Sequence, residues 1–278
     1  MDIAQRVVVI TGAGSGIGEA LAHATSAAGA AHVVVADLNG DEARRVAADV
    51  GGTPAELDVR DESALVDLVD RTEQAHGPIG LFASNAGYVT TAGLEDSNER
   101  IQAMWEVHVM AHVYAARAVL PQMIANEGGY LLNTASAAGL LTQIGSLAYS
   151  VTKGAAVSLA KWLAITHHHQ GIRVSVLCPQ AVRTNIIANS PDREMPADAD
   201  EDPWEGGVAS GDGVLEADRV AAACLDAIAE ERFHVLPHAE VADYARRKAD
   251  DVDRWLAGMR RYQDMLYADE PLPGDAIA

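Results

Sequence analysis

The sequence predicts an α/β fold: a doubly wound parallel sheet of about seven strands, flanked by helices and forming a single domain. Three observations predict it. Short, nearly continuous apolar runs recur along the chain, as parallel strands buried on both faces require. Longer segments with the three-to-four spacing of amphipathic helices lie between them. A glycine-rich turn directly follows the first run, where a sheet of this kind leads into a helix.

The runs are RVVVIT (6–11), HVVVAD (32–37), PAELDV (54–59), IGLFASN (79–85), YLLNTAS (130–136), RVSVLCP (173–179) and FHVLP (233–237). Helical spacing covers 17–29, 61–76 and 97–127, the last with Ile101, Met104, Trp105, His108, Val109 and His112 on one face. No repeat or low-complexity linker divides the 278 residues, so one domain, 1–278, is expected. Two stretches break the rhythm. Residues 185–214 are rich in Pro, Gly and acid and read as a long excursion of the lid type. Residues 239–267 read as a C-terminal helix whose apolar stripe (Val241, Ala245, Val252, Trp255, Met259, Tyr262, Leu266) packs onto the domain or a sister subunit.

Composition narrows the function. With 49% hydrophobic residues the chain can bury a sizeable core. Twenty Lys and Arg stand against forty Asp and Glu, a formal net charge of −20. Such a surface repels phosphate backbones and anionic membranes, so neither nucleic acid nor membrane is an expected partner. Two cysteines, Cys178 and Cys224, make no disulfide framework and read as buried free thiols. Without a secretory segment or a run of about twenty apolar residues, a cytoplasmic location is expected.

TGAGSGIG (11–18) places Gly12, Gly16 and Gly18, with Ser15 and Ile17 between them, at the end of the first strand. Glycines there let the chain turn sharply and bring backbone N–H groups to a pyrophosphate at a helix N-terminus. The second strand ends at Asp37, nineteen residues past Gly18. An acid there can accept both adenosine ribose hydroxyls and repel a 2′-phosphate, which favours NAD over NADP. Neither Leu38 nor Asn39 offers a cation, and Arg44 and Arg45 lie further along a helix, facing solvent. An acid capping the next helix would occupy the same position.

Tyr149 and Lys153, in AYSVTKGA, stand four apart and so share a helix face. Alone, the pair is compatible with a tyrosine at the core edge and a solvated lysine. The remaining motifs change that. In order and spacing, residues 5–185 resemble the short-chain dehydrogenase/reductase family, with its single Rossmann-type domain. TGAGSGIG resembles its glycine motif. LDV (57–59) resembles the stretch whose acid, here Asp58 beside Val59, meets the adenine. SNAG (84–87) resembles the motif in which Asn85, Ala86 and Gly87 would line the cofactor. Ser136 precedes Tyr149 by thirteen residues, and YSVTK matches Y-x-x-x-K. CPQAVRT (178–184) resembles PG-x-V-x-T, so that Pro179, Val182 and Thr184 would border the nicotinamide.

The resemblance implies an NAD-dependent oxidoreductase interconverting a secondary alcohol and a ketone. Tyr149 would be the general acid/base, Lys153 the cation that lowers its pKa and holds the nicotinamide ribose, and Ser136 the group that orients the substrate oxygen. A homo-oligomer, tetramer or dimer, is implied as well. A nucleotide-binding regulator that has lost catalysis on the same fold is the competing reading; a methyltransferase would need neither Tyr149 nor Lys153.

Two positions depart from the family pattern. His108 stands where the family's Asn supports a helix kink and an ordered water; it would either keep that proton relay or pack at a subunit interface. His108 and His112 also have metal-ligand spacing, but no carboxylate accompanies them, and no metal is expected. Gln180 replaces a glycine, projecting near the substrate. With Tyr88, Ala138, Gln143 and Trp204, joined by Ile144 and Ala181, it suggests a medium-sized, largely apolar pocket.

Overall fold

In the computed structural model, which describes residues 1–190, 209–268 and 271–275, seven parallel strands form one sheet in the order β3-β2-β1-β4-β5-β6-β9. These are β1 Val7–Thr11, β2 His32–Asp37, β3 Thr53–Glu56, β4 Ile79–Ser84, β5 Gly129–Thr134, β6 Ile172–Leu177 and β9 His234–Val235. Each matches one of the apolar runs. The order reverses between β1 and β4, and at such a switch point two helices leave on opposite faces and open a crevice at the strands' carboxyl ends.

Helices cover both faces. On one lie α1 (Gly16–Ala27), α2 (Gly40–Val50) and α8 (Ala217–Ala229), packing Leu21, Val46 and Ile228 against Val8, Ile10 and Leu132. On the other lie α3 (Glu62–His76), α5 (Ala111–Ala125) and α7 (Leu147–Thr166), packing Leu65, Val119 and Ala156 against Val9, Phe82 and Leu131. Strand residues alternate between these two cores because a strand's side chains alternate faces, and both faces are covered. Cys178 and Cys224 are buried free thiols, and burial pushes both up to about 12.

The chain departs from the sequence expectation in four places. The 97–127 helix is α4 (Asn98–Trp105), a π-helical turn over Glu106–Met110, and α5. The wider turn carries His108 and occupies the place of the expected kink. The third strand stops at Glu56; Leu57 still donates to Asp37, and the chain then turns through Asp58 and Asp61. A second small sheet pairs β7 (Val182–Arg183) with β8 (Leu215–Glu216), elements too short to leave a periodic signal. The single helix expected over 239–267 is two, α9 (Glu240–Asp250) and α10 (Val252–Leu266). Asp251 breaks it: its backbone is extended (φ −155°, ψ 92°), and its carboxylate caps the second helix by accepting from the Arg254 N–H at 3.0 Å. The stripe does pack onto the domain, with Val241, Ala245 and Trp255 against Ala137 and Leu141. Residues 191–208, which contain Trp204 and most of the expected excursion, lie outside the described residues.

The short helix α6 (Ala137–Leu141) meets α7 at a backbone-to-backbone contact. A Cβ on Gly139 would lie 2.5 Å from the Lys153 carbonyl oxygen and 3.0 Å from the Gly154 nitrogen. That approach sets the spacing of Ser136, at the start of α6, from Tyr149 and Lys153 on α7. Gly139→Ala should therefore lower unfolding stability in urea by about 1–3 kcal/mol, the usual cost of overpacking. An unchanged denaturation midpoint would show that the two helices can move apart freely.

Candidate active site

A cleft of about 1490 Å³ opens at the carboxyl ends of the strands. That exceeds the roughly 300–1,000 Å³ of a pocket for one small ligand. One end is built from the first strand–helix turn. Gly12 has φ +63°, and a Cβ on Gly18 would lie 2.1 Å from the Gly12 carbonyl oxygen, so the turn closes only with glycine there. Asn85 Nδ2 donates to that same carbonyl at 3.2 Å, while Thr134 Oγ1 donates to Asn85 Oδ1 at 3.0 Å. The backbone N–H of Asn85 donates to Thr11 Oγ1 at 3.1 Å. SNAG thus ties β1, β4 and β5 together beneath the cleft.

Gly12, Ser15, Gly16 and Ile17 line this end, with Gly18 buried behind them. Thr184 closes over the turn, its Cβ 2.9 Å from where a Cβ on Gly16 would be. Asp37 accepts from the N–H groups of Gly14 and Asn39, each at 2.9 Å, so its carboxylate is held at the cleft edge with lone pairs to spare. Arg45 is exposed, as expected, and also reaches back to the Gly14 carbonyl at 3.1 Å; its charge is engaged by Glu19 and Glu42, both at 2.8 Å. Asp58 and Val59 also line the cleft. Arg60 grips the Asp58 carboxylate through side chain and backbone and holds its pKa below the usual range.

At the cleft's centre Ser136, Tyr149, Lys153, Asn85, Ala86, Gly87 and Pro179 come together. Ser136 is the N-cap of α6: its Oγ accepts from the Ala138 N–H at 3.1 Å and donates to the Pro179 carbonyl at 3.4 Å. Lys153 carries its ammonium into the core, 3% exposed, and donates to the Thr134 carbonyl at 3.0 Å. Its nitrogen lies 5.7 Å from the centre of the Tyr149 ring. Burial lowers Lys153 to about 8. The Tyr149 phenol is pushed above its ordinary range by burial, with the Ser136 hydroxyl opposing. The direction is thus opposite to the depression expected from the neighbouring Lys153, and desolvation sets it.

His108 lies directly behind Gly87: a Cβ there would sit 3.1 Å from His108 Nε2 and 3.4 Å from Lys153 Nζ. The Tyr88 N–H donates to Nε2 at 3.2 Å. Nδ1 therefore carries the proton and donates to Thr152 Oγ1 at 3.0 Å, whose own hydroxyl donates to the Ala148 carbonyl at 2.8 Å. Burial, Lys153 and His112 hold His108 neutral, well below its ordinary pKa. His112 is also fully buried, and neither ring nitrogen has a hydrogen-bond partner. Among the described residues no group of three or more His, Cys, Asp or Glu is placed to hold a metal.

Tyr88, Ala138, Gln143, Gln180, Ile144 and Ala181 all line the other end, beside Val182. Gln180 is anchored by its backbone N–H, which donates to Nδ1 of the buried His238 at 3.2 Å. Sequence reasoning missed His238, and it missed the cleft's outer wall: Tyr244 and Arg247 from α9, Trp255, Met259 and Tyr262 from α10, and Tyr267. The apolar stripe signalled that these helices pack, but not that the cleft is part of what they cover.

Buried and unpartnered, His112 should titrate the stability of the fold. Burial and the Lys153 charge lower it from 6.5 to about 3. Above pH 6.5 it is neutral in both folded and unfolded chains. As pH falls below that, the unfolded chain takes a proton the folded chain refuses until about pH 3, and stability is lost across this window, by up to about 5 kcal/mol. His112→Leu is expected to move the acid-unfolding midpoint to lower pH and to raise stability at pH 7 by about 1–2 kcal/mol. An acid transition unmoved by the substitution would contradict this.

The family profile described as short chain dehydrogenase matches residues 6–195. The chain is 32% identical over 266 residues to the 1-deoxy-11-beta-hydroxypentalenate dehydrogenase of Streptomyces exfoliatus, covering 92% of both proteins. It is 34% identical over 195 residues to the meso-2,3-butanediol dehydrogenase of Serratia marcescens, covering 69% of this chain and 77% of that one. Among solved structures, a short-chain dehydrogenase/reductase from Burkholderia phymatum in complex with NAD superposes with a TM-score of 0.79 at 30% identity, covering 91% of this chain and 96% of that one. The fold agrees with these likenesses, and the chain belongs to the short-chain dehydrogenase/reductase family.

Proposed function

We propose that the protein is an NAD-dependent oxidoreductase that interconverts a secondary alcohol and a ketone, with Tyr149 as its general acid/base. The observation that carries this reading is the buried Lys153 ammonium, bonded to the Thr134 carbonyl beside Tyr149 and Ser136. A lysine is desolvated at such cost only where its charge has a use. The dehydrogenase relatives support the reaction class, and the NAD-bound neighbour supports the cofactor. The cleft lining fits that cofactor: Gly12, Ser15, Gly16 and Ile17 would form the pyrophosphate cradle, Asp37 and Asp58 would border the adenosine, Asn85, Ala86 and Gly87 would line its path, and Pro179, Val182 and Thr184 would border the nicotinamide. Arg45 offers no free cation for a 2′-phosphate, since Glu19 and Glu42 engage it.

NAD supplies the hydride acceptor or donor when bound. The chain does the rest. Ser136 Oγ turns from its long contact with Pro179 to donate to the substrate oxygen. Tyr149 Oη takes the hydroxyl proton in oxidation and returns one to the carbonyl in reduction. Lys153 stabilises the phenolate as it forms. His108, whose two nitrogens are committed to Tyr88 and Thr152, holds the Gly87–Tyr88 backbone against α7 as a neutral positioning group behind the cleft.

α7 also carries an exposed apolar stripe, Val151, Trp162 and Ile165, on the side away from Tyr149 and Lys153. We assign it to a second copy of this chain, in keeping with the expected homo-oligomer.

Tyr149→Phe should cut NADH formation from NAD⁺ and secondary alcohols by at least about 100-fold, with NADP⁺ a poor substitute. Full turnover in the phenylalanine variant would show that another group is the base; NADH binding without turnover on a broad alcohol panel would favour the regulator reading. Because burial raises the phenol, alcohol oxidation should accelerate with pH through neutrality into the alkaline range, while ketone reduction holds level through neutrality and slows only as the phenol ionises at alkaline pH; a flat profile for both over the whole range would remove Tyr149 from the proton step. Trp162→Glu should shift the protein to smaller species in sedimentation velocity, whereas an unchanged distribution would place the interface elsewhere.

A further inference from the structure

Helix α9 carries three consecutive bases, Arg246, Arg247 and Lys248, and the fold pairs the first and the last of them. Arg246 pairs with Asp243 at 2.8 Å. Lys248 donates to the Leu140 carbonyl at 2.6 Å and ties α9 to the end of α6. Arg247, between them, lines the cleft with its guanidinium 5.9 Å from the centre of the Tyr244 ring. No carboxylate among the described residues pairs with it. The acid on that wall, Asp212, accepts from the Tyr244 hydroxyl at 3.0 Å, at the far end of the same ring.

The other cations lining the cleft are engaged. Arg60 grips Asp58, Arg100 pairs with Asp96 at 2.7 Å, and Lys153 serves Thr134 and Tyr149. In a chain with twice as many acids as bases, an arginine at the cleft without a carboxylate runs against the charge balance. The aromatic seat restrains it, so little side-chain freedom remains to be lost when an anion arrives. The same cleft is lined by apolar and aromatic side chains: Trp255, Met259, Tyr262, Ile186 and Ile187.

From this arrangement we infer that the substrate is a hydroxy acid or keto acid with an apolar body, whose carboxylate is received by Arg247 while its alcohol or carbonyl carbon faces Tyr149. The inference rests on the oxidoreductase reading and names its substrate class. A single guanidinium fork matches one carboxylate, whereas a doubly charged phosphate would call for more cations than this wall offers.

The test pairs 4-hydroxycyclohexanecarboxylate with its methyl ester, which removes the charge at that end and adds one methyl group. Wild type should show an acid-to-ester ratio of kcat/KM of about ten or more, the worth of one charge-assisted bond. Arg247→Met should lower that ratio by about the same factor, chiefly through KM for the acid, and Arg247→Lys should restore part of it. Equal use of acid and ester by wild type, or a ratio unchanged by Arg247→Met, would overturn the inference. If neither compound is turned over, calorimetric titration of the acid into NAD⁺-saturated protein separates the two claims. Binding weakened about tenfold by Arg247→Met keeps the carboxylate site, and the oxidoreductase reading is then decided by the broad alcohol panel; binding that is absent, or equal in both proteins, sinks the inference.

Discussion

Lys153 places a cation inside the protein, and the cleft is arranged around that fact. A buried ammonium is tolerable only if its hydrogens are used and a partner can share its charge. Thr134, at the end of β5, supplies the carbonyl. That strand end is fixed by Asn85, which also fixes the glycine turn through the Gly12 carbonyl. Ser136 follows two residues after Thr134, and the Gly139 contact holds α6 against the turn of α7 that carries Lys153. The proposed cofactor cradle, proton-transfer group and substrate-orienting hydroxyl therefore share one short network of backbone positions.

Desolvation acts on both members of the pair in the direction that primes them. It raises the phenol of Tyr149 and lowers the ammonium of Lys153, so each resists its charged form. Lys153, at about 8, is still protonated at neutral pH, and a phenolate formed beside it would relieve the burial cost of both charges. Behind them the fold keeps two neutral histidines. His108 uses both nitrogens to fasten the Gly87–Tyr88 backbone to α7; His112 uses neither. A positive charge on either would oppose Lys153, and burial prevents it.

The strands and the two ends of the cofactor cradle were legible in the sequence, because they depend on local chemistry. A run such as Val7–Thr11 declares a strand buried on both faces, and Gly12–Gly18 declares the turn that follows. The tyrosine–lysine pair was legible for a different reason: four residues on a helix is a fixed geometry. What stayed hidden depends on contacts distant in sequence. Arg45 reaches back 31 residues to Gly14. Lys248 reaches 108 residues to Leu140, and with it α9 carries Tyr244 and Arg247 to the cleft. The break at Asp251 was hidden because an aspartate reads equally well as a helix surface residue and as a cap. The sign of the Tyr149 shift was hidden because burial is a property of the packed molecule, not of spacing.

The central claim is that Tyr149 and Lys153 form one coupled proton-transfer unit held ready by burial. The most direct measurement is the titration of Lys153 by NMR, with lysine labelled at Cε, in wild type and in Tyr149→Phe and with and without NAD⁺. The account predicts a Lys153 pKa near 8 without NAD⁺. It also predicts a dependence on the tyrosine: in the NAD⁺ complex, ionising the Tyr149 phenol should raise the lysine pKa, and the phenylalanine variant should lose that rise. A lysine that titrates at the ordinary value near 10.4, unmoved by loss of the phenol, would show that its charge is not buried beside Tyr149 and would contradict the account.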